Sequence, residues 1–244
     1  MKVMMGMCKE GWFQWIVSFG LIVLTILGGG GIPVRAQDDT AREVVIRTSL
    51  AEYDEETGLL SARGESTITW QDITMICPYL EVDTLKREAH SSGDIRVLWG
   101  GKTIVAEKLH FLGKENRATL EEVTGTGADM HLSAGLAAFD FTAEQVSLTG
   151  NPILRINDYE MRSDAIRYSF AAQYWEAAPV WLSRQDWEGR ADRGMFREGS
   201  DSIELVGNAR VEREGSLLQG EKITVFHATG RIRVEGDVEI TIVD

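Results

Sequence analysis

Between residue 44 and residue 244, apolar side chains alternate with polar ones in short runs. Ile203 and Leu205 precede Gly207, with Ala209 and Val211 after it; Ile232 and Val234 precede Gly236, with Val238 and Ile240 after it. A period of two carried by Ile, Val and Thr predicts strands that bury one face. The glycine between the runs is itself periodic. It opens Gly64-Glu-Ser-Thr-Ile-Thr-Trp70, Gly93-Asp-Ile-Arg-Val-Leu-Trp99, Gly150-Asn-Pro-Ile-Leu-Arg-Ile156, Gly207-Asn-Ala-Arg-Val-Glu-Arg213 and Gly236-Asp-Val-Glu-Ile-Thr-Ile242, at spacings of 29, 57, 57 and 29 residues. The doubled gaps imply rungs near Glu121 and Ala178 that lack the glycine. A second landmark, apolar-x-small-acidic-x-apolar-x-aromatic, tests this: it begins at Met75, Ile104, Leu132, Met161, Gly189 (poorly) and Leu218, at intervals of 28 or 29 residues. A fixed period of this length predicts one structural unit stacked on the next.

Within the second landmark the apolar phase slips by one residue, since Ile104 and Ala106 are followed by Leu109 and Phe111. A slip of one requires a bulge or corner. Glu107, Asp164 and Glu221 fall there, with Pro78 at the same place in an earlier rung, so the corner is predicted to face water. Stacked acids can bind calcium in other solenoids, but the Gly-Gly-x-Gly-x-Asp series is missing. Thr57-Gly58 and Thr229-Gly230 each read as a turn into an alternating strand. About seven rungs of about 28 residues then fill residues 44–244, giving two facing sheets. The inward positions include Ile68, Ile95, Val97, Ile104, Leu109, Phe111, Leu154, Ile156, Met161, Ile166, Ile223 and Val225. Alternation alone specifies a packed core between the sheets. Segment 170–200, with Trp175, Trp181, Trp187 and Pro179, fits the period least well and reads as a loop excursion or a distorted rung.

The chain start changes the compartment. Lys2 and Lys9 precede an apolar run from Trp12 to Leu27 that exits through Gly28–Gly31 to Val34-Arg35-Ala36-Gln37. This is the outline of a secretory signal, residues 1–36, cleaved after Ala36 to leave a single domain at 37–244; an uncleaved inner-membrane anchor is the alternative. Without residues 1–36 the body keeps 22 basic and 37 acidic residues, which repels nucleic acid. Any lipid must then bind through apolar contact. Cys8 leaves with the signal, so Cys77 stands alone, can form no internal disulfide, and is expected to be buried. No Gly-x-Ser-x-Gly, His-Glu-x-x-His, Cys-x-x-Cys or phosphate loop is present, which argues against an enzyme and against a cofactor. His90, His110, His131 and His227 share no rung position, so no metal site is expected.

The glycine-Asn/Asp strand followed by the small-acidic landmark resembles the OstA repeat, most closely over Ser202-Ile-Glu-Leu-Val-Gly-Asn-Ala-Arg-Val-Glu-Arg-Glu-Gly-Ser-Leu-Leu-Gln-Gly-Glu-Lys-Ile-Thr-Val225. The resemblance is to the LptA/OstA-like family of lipopolysaccharide transport proteins, the shared core of LptA, LptC and the N-terminal domain of LptD. It implies an all-β, twisted, open β-jellyroll in the periplasm. It also implies that the inward residues named above hold the acyl chains of lipopolysaccharide (lipid A). The implied partners are LptC-like and LptD-like proteins, or further copies head to tail, joined by edge-strand addition. The candidate edges are Val44, Val45 and Ile46 at one end and Val238, Ile240 and Ile242 at the other. The last strand carries no lysine or proline to discourage addition, unless the segment near residue 180 covers it. The resemblance leaves open an LptA-like or an anchored LptC-like station. The rival readings are an envelope β-solenoid scaffold without lipid and a carbohydrate-active β-helix, the latter disfavoured because the corner acids are spread along the stack.

Overall fold

The computed structural model of the chain describes residues 45–70, 73–99, 101–127, 129–185 and 187–242. Among these residues, twenty strands form one continuous antiparallel sheet. After β1 (Val45–Arg47) and β2 (Leu50–Asp54) come six long strands, β3 (Leu59–Trp70), β4 (Ile73–Asp83), β5 (Glu88–Trp99), β6 (Lys102–Leu112), β7 (Arg117–Thr126) and β8 (Met130–Asp140). The chain continues through shorter strands: β9 (Gln145–Thr149), β10 (Ile153–Ile156), β11 (Tyr159–Arg162), β12 (Ile166–Ser169), β13 (Tyr174–Ala177), β14 (Val180–Arg184), β15 (Trp187–Ala191) and β16 (Arg193–Arg197). It ends in β17 (Ser202–Arg213), β18 (Ser216–Phe226), β19 (Arg231–Glu235) and β20 (Glu239–Thr241).

Each long strand bends at its middle, and the short strands are the same passes broken at the bend. The register shows this directly: β17 pairs with β16 through Ile203–Val206 and with β15 through Arg210–Arg213. The sheet is thus folded lengthwise into two half-sheets. One ends in four-residue turns such as Glu55–Gly58, the other in tight turns such as Asn157-Asp158. Two passes make one 28-residue unit. The wide turns stack through backbone bonds: Thr84 N–H donates to Gly58 O at 2.9 Å, Phe141 N–H to Asn116 O at 3.0 Å and His227 N–H to Asp201 O at 2.9 Å.

The bends fall where the landmarks placed them. Gly64, Gly93, Gly150, Gly207 and Gly236 all have positive φ. The two rungs without glycine bend at Glu122, at φ 51°, and at the cis Ala178–Pro179 peptide. Gly150 explains the requirement. A Cβ there would stand 3.0 Å from Gly135 Cα of the preceding pass, and its φ of +74° is one that side chains resist. The intervening passes bend at Pro78, Glu107, Asp164, Asp192 and Glu221, all exposed, as a water-facing corner demands. Asp192 and Glu221 N–H groups donate to Gly207 O and Gly236 O of the next pass at 2.9 and 3.1 Å. The region that fits the period least well, around 170–200, runs through β13 to β16 in step with the stack.

The core is the space between the half-sheets, and it consists of rows running across the strands. On the tight-turn half-sheet, Ile68, Met75, Val97, Ile104, Gly125, Leu132, Leu154, Met161 and Leu182 follow one another as direct cross-strand partners. On the other half-sheet the row Phe111, Ala118, Phe139, Val146, Tyr168, Trp175 and Phe196 alternates aromatic with smaller residues at first and ends in three successive aromatics. Full burial of one such aliphatic side chain stabilises the fold by roughly 1.5–3 kcal/mol. Cys77 is among the fully buried residues, and burial pushes its thiol pKa up.

Candidate functional site

All twelve predicted inward residues face the space between the half-sheets, but they divide into two groups. Leu154, Ile156, Met161, Ile166, Ile223 and Val225 are buried at 0–3% exposure, whereas Val97, Ile104, Leu109 and Phe111 are only partly covered; Ile68 and Ile95 are buried in the N-terminal core. The difference has a local cause. Over the C-terminal passes the half-sheets are joined by an aromatic cluster in which Tyr159 meets Trp187 at 5.6 Å and His227 at 6.5 Å, and Phe196 meets His227 at 6.3 Å. His227 ties the two margins together. Its Nε2–H donates to Ser200 O at 2.8 Å, which leaves Nδ1 to accept from Asn157 Nδ2 at 3.3 Å. Arg184 lies over the Tyr159 ring and bonds its hydroxyl at 3.2 Å.

Toward the N-terminal passes this seal gives way to an apolar cavity of about 70 Å³ between Ile104, Leu132 and Met130 on one half-sheet and Phe139, Phe170 and Trp175 on the other. At its margin Lys102, the first residue of β6, donates to Glu198 Oε1 at 3.0 Å although 96 positions separate them. Glu198 also accepts the Tyr168 hydroxyl; burial and this carboxylate both raise the Tyr168 pKa. Among the described residues, the Trp175 indole Nε1–H, in a residue lining this cavity, is buried without a partner. An unmet buried donor costs roughly 1–3 kcal/mol, so a ligand acceptor reaching it would gain directly.

Among the described residues the sheet is open at both ends. Among the described residues, β20 pairs only with β18, leaving Val238, Ile240 and Ile242 at 51–74% exposure. Val180–Arg184 does not cover this edge, because β14 lies between β11 and β15. At the other end β1 and β2 pair only with β3, with Val45 and Ile46 half-buried. Val44 lies outside the described residues, as does the predicted signal segment 1–36.

Sequence reasoning missed one grouping of metal-ligating residue types. His90 and His110 are 20 residues apart, out of step with the period, yet they are direct partners in the β5–β6 hairpin, and Glu88 joins them on the outer face. The signal was present in the sequence, where positions 90 and 110 lie at equal distances on either side of position 100.

Fold and cavity together define the class: an open-ended, twisted antiparallel jellyroll of the OstA kind, with an apolar interior reached between two half-sheet margins. The family comparison agrees with the repeat. Residues 177–231 match the model of the LptA/(LptD N-terminal domain) LPS transport protein family, which includes the Ser202–Val225 stretch on which the resemblance was read. Among solved structures, the chain is similar to LptH from Pseudomonas aeruginosa, the LptA-homologous periplasmic component of that organism's lipopolysaccharide transport device. The two are 12% identical with a TM-score of 0.42, covering 47% of this chain and 95% of that one. No curated protein matches the sequence.

Proposed function

We propose that the protein is a periplasmic, non-catalytic carrier or bridge for lipopolysaccharide on its way to the outer membrane. Lipid A acyl chains lie between the half-sheets, entering at the Lys102–Glu198 margin. The exposed edges of β1–β2 and β20 pair with LptC-like and LptD-like proteins or with further copies. The observation that carries the reading is the apolar cavity at Ile104, Leu132 and Phe139, lined also by Trp175, whose buried indole N–H has no partner, in a chain bearing the lipopolysaccharide-transport family signature. At about 70 Å³ the cavity is far below the roughly 300–1,000 Å³ of ordinary ligand pockets. A chain therefore enters only as the margins part, and the part-exposed Lys102–Glu198 ion pair is a weaker closure than the aromatic cluster around Tyr159. The acidic body contributes no attraction for phosphates, so apolar contact must drive binding.

The test is co-elution of the purified protein with lipopolysaccharide on gel filtration. Saturable co-elution is expected, lost when Ile104 and Leu132 are both replaced by Asp; absence of co-elution at every concentration contradicts the reading. A second reading, a scaffold that uses the same edges without lipid, is favoured by the sealed interior from Leu154 to Val225. It predicts self-association abolished by Ile240→Pro, with no lipid co-eluting.

A further inference from the structure

The outer face of the wide-turn half-sheet carries chemistry that the lipid reading does not use. Glu88 and His90 stand two residues apart on β5, so both side chains leave the same face. His110 on β6 is the direct cross-strand partner of His90, which brings their Cβ atoms within about 5 Å. The two imidazoles stack with centroids 4.2 Å apart and planes 19° from parallel, and one ligand atom from each of the three residues lies within 4.8 Å of the others. His110 Nε2 is buried and has no hydrogen-bond partner. His90 and His110 line an open polar hollow of about 320 Å³ with Tyr79, Ser92, Lys108 and Glu121.

The nearby charges leave this trio available to a cation. Lys108 is held by Glu121 at 2.6 Å, and Lys86 by Asp83 at 2.8 Å. Glu81, the cross-strand neighbour of His90, accepts the Tyr79 hydroxyl. No cation is paired with Glu88 among the described ion pairs, and a hydrogen-bonded sheet holds all three side chains on a fixed backbone.

We propose that Glu88, His90 and His110 bind a divalent transition-metal ion of the zinc type on the outside of the jellyroll. Two imidazoles and one carboxylate suit Zn²⁺, with Cu²⁺ and Ni²⁺ as competitors, and poorly suit Ca²⁺ or Mg²⁺. Bonds of about 2.0–2.1 Å to each ligand in a tetrahedral arrangement bring ligand atoms to about 3.3 Å from one another. Reaching this spacing requires the two stacked imidazoles to rotate apart so that both ring planes contain the ion. Three protein ligands leave a fourth position open to the hollow, where water or a donor from a docked partner completes the shell. The ion clips β5 to β6 and gives the face a charge-bearing contact point.

The test uses the protein purified without a polyhistidine tag, stripped with chelator and titrated with Zn²⁺ against a chromophoric competitor in the absence of any lipid, so that its outcome is independent of the carrier reading. One Zn²⁺ per chain is expected at micromolar affinity or tighter. Co²⁺ should give the intense visible bands of four-coordination, and Zn²⁺ should raise the unfolding midpoint. His110→Ala and the near-isosteric Glu88→Gln should each weaken uptake tenfold or more and abolish the midpoint rise, while His131→Ala changes neither. No uptake at 100-fold molar excess of Zn²⁺, or uptake undiminished in both His110→Ala and Glu88→Gln, would overturn the proposal.

Discussion

The tightness of the stack can be measured at two glycines that share a backbone conformation and differ only in what lies beside them. Gly150 has φ +74° and Gly199 has φ +76°. Alanine in this left-handed region costs roughly 1–2 kcal/mol at either position. At Gly199 nothing stands within 4 Å of the added Cβ, so the cost ends there. At Gly150 the Cβ would meet Gly135 Cα at 3.0 Å and Gly135 N at 3.2 Å, both backbone atoms held by the Gly135 N–H to Gly150 O bond of 3.1 Å. Forcing that contact open adds roughly 1–3 kcal/mol. Gly199→Ala is thus expected to destabilise by about 1–2 kcal/mol and Gly150→Ala by about 2–5 kcal/mol. For a chain of this length each kcal/mol lowers the unfolding midpoint by roughly 2–4 °C. Calorimetry and urea unfolding of both variants, with unchanged denaturant slopes, read the difference. The reverse substitution, Gly135→Ala, meets Gly150 at 3.4 Å and should cost less than Gly150→Ala. Equal midpoints for Gly150→Ala and Gly199→Ala would refute the idea that successive bends are in close backbone contact.

Other consequences are checked by similar means. Leu154→Ala removes a side chain with 0% exposure from the sealed interior and should cost about 2–5 kcal/mol in urea unfolding; a cost below about 1 kcal/mol would place Leu154 outside a packed core. Glu198→Gln breaks the pair with Lys102, whose side chains are 28% and 35% exposed. It should cost only about 0.2–1 kcal/mol while speeding uptake of an apolar dye, and unchanged uptake would deny the margin its gating role. Burial works to raise the Glu160 pKa, but the Arg155 and Arg162 guanidiniums overcome it and hold the value below 4.5. Its stabilising contribution is therefore complete above about pH 4.5 and lost as pH falls through the lower folded value. Glu160→Gln should flatten the acid limb of the urea midpoint between pH 5 and 3, and an unchanged limb would count against the triad. Raising ionic strength should strengthen lipopolysaccharide association with this acidic body by screening repulsion; weakening with salt would point to phosphate contacts as the driving force.

The architecture was legible because its cause is local and repeated. Each bend needs either a glycine at positive φ or a small or charged residue facing water, and those demands recur in step from Gly64 to Gly236. Even the two rungs without glycine, bending at Glu122 and Ala178–Pro179, could be placed from the spacing of their neighbours. The inward set followed from alternation. What alternation could not reveal was which inward residues are sealed, because that depends on contacts between margins 70 to 96 residues apart, such as Asn157 with His227 and Lys102 with Glu198. The Glu88–His90–His110 grouping escaped for a related reason. Hairpin symmetry about a turn, not the 28-residue period, brings His90 beside His110.

The claim on which the account rests is that the alternating apolar face is the lipid's path, and a photocrosslinking scan tests it most directly. A photoreactive residue placed at inward Ile104, Leu132 or Phe139 should yield lipopolysaccharide adducts in the intact envelope, whereas the same residue at outward Arg96 or Thr124 on the neighbouring strands should not. Adducts confined to the outward positions, or equal at both sets, would contradict it.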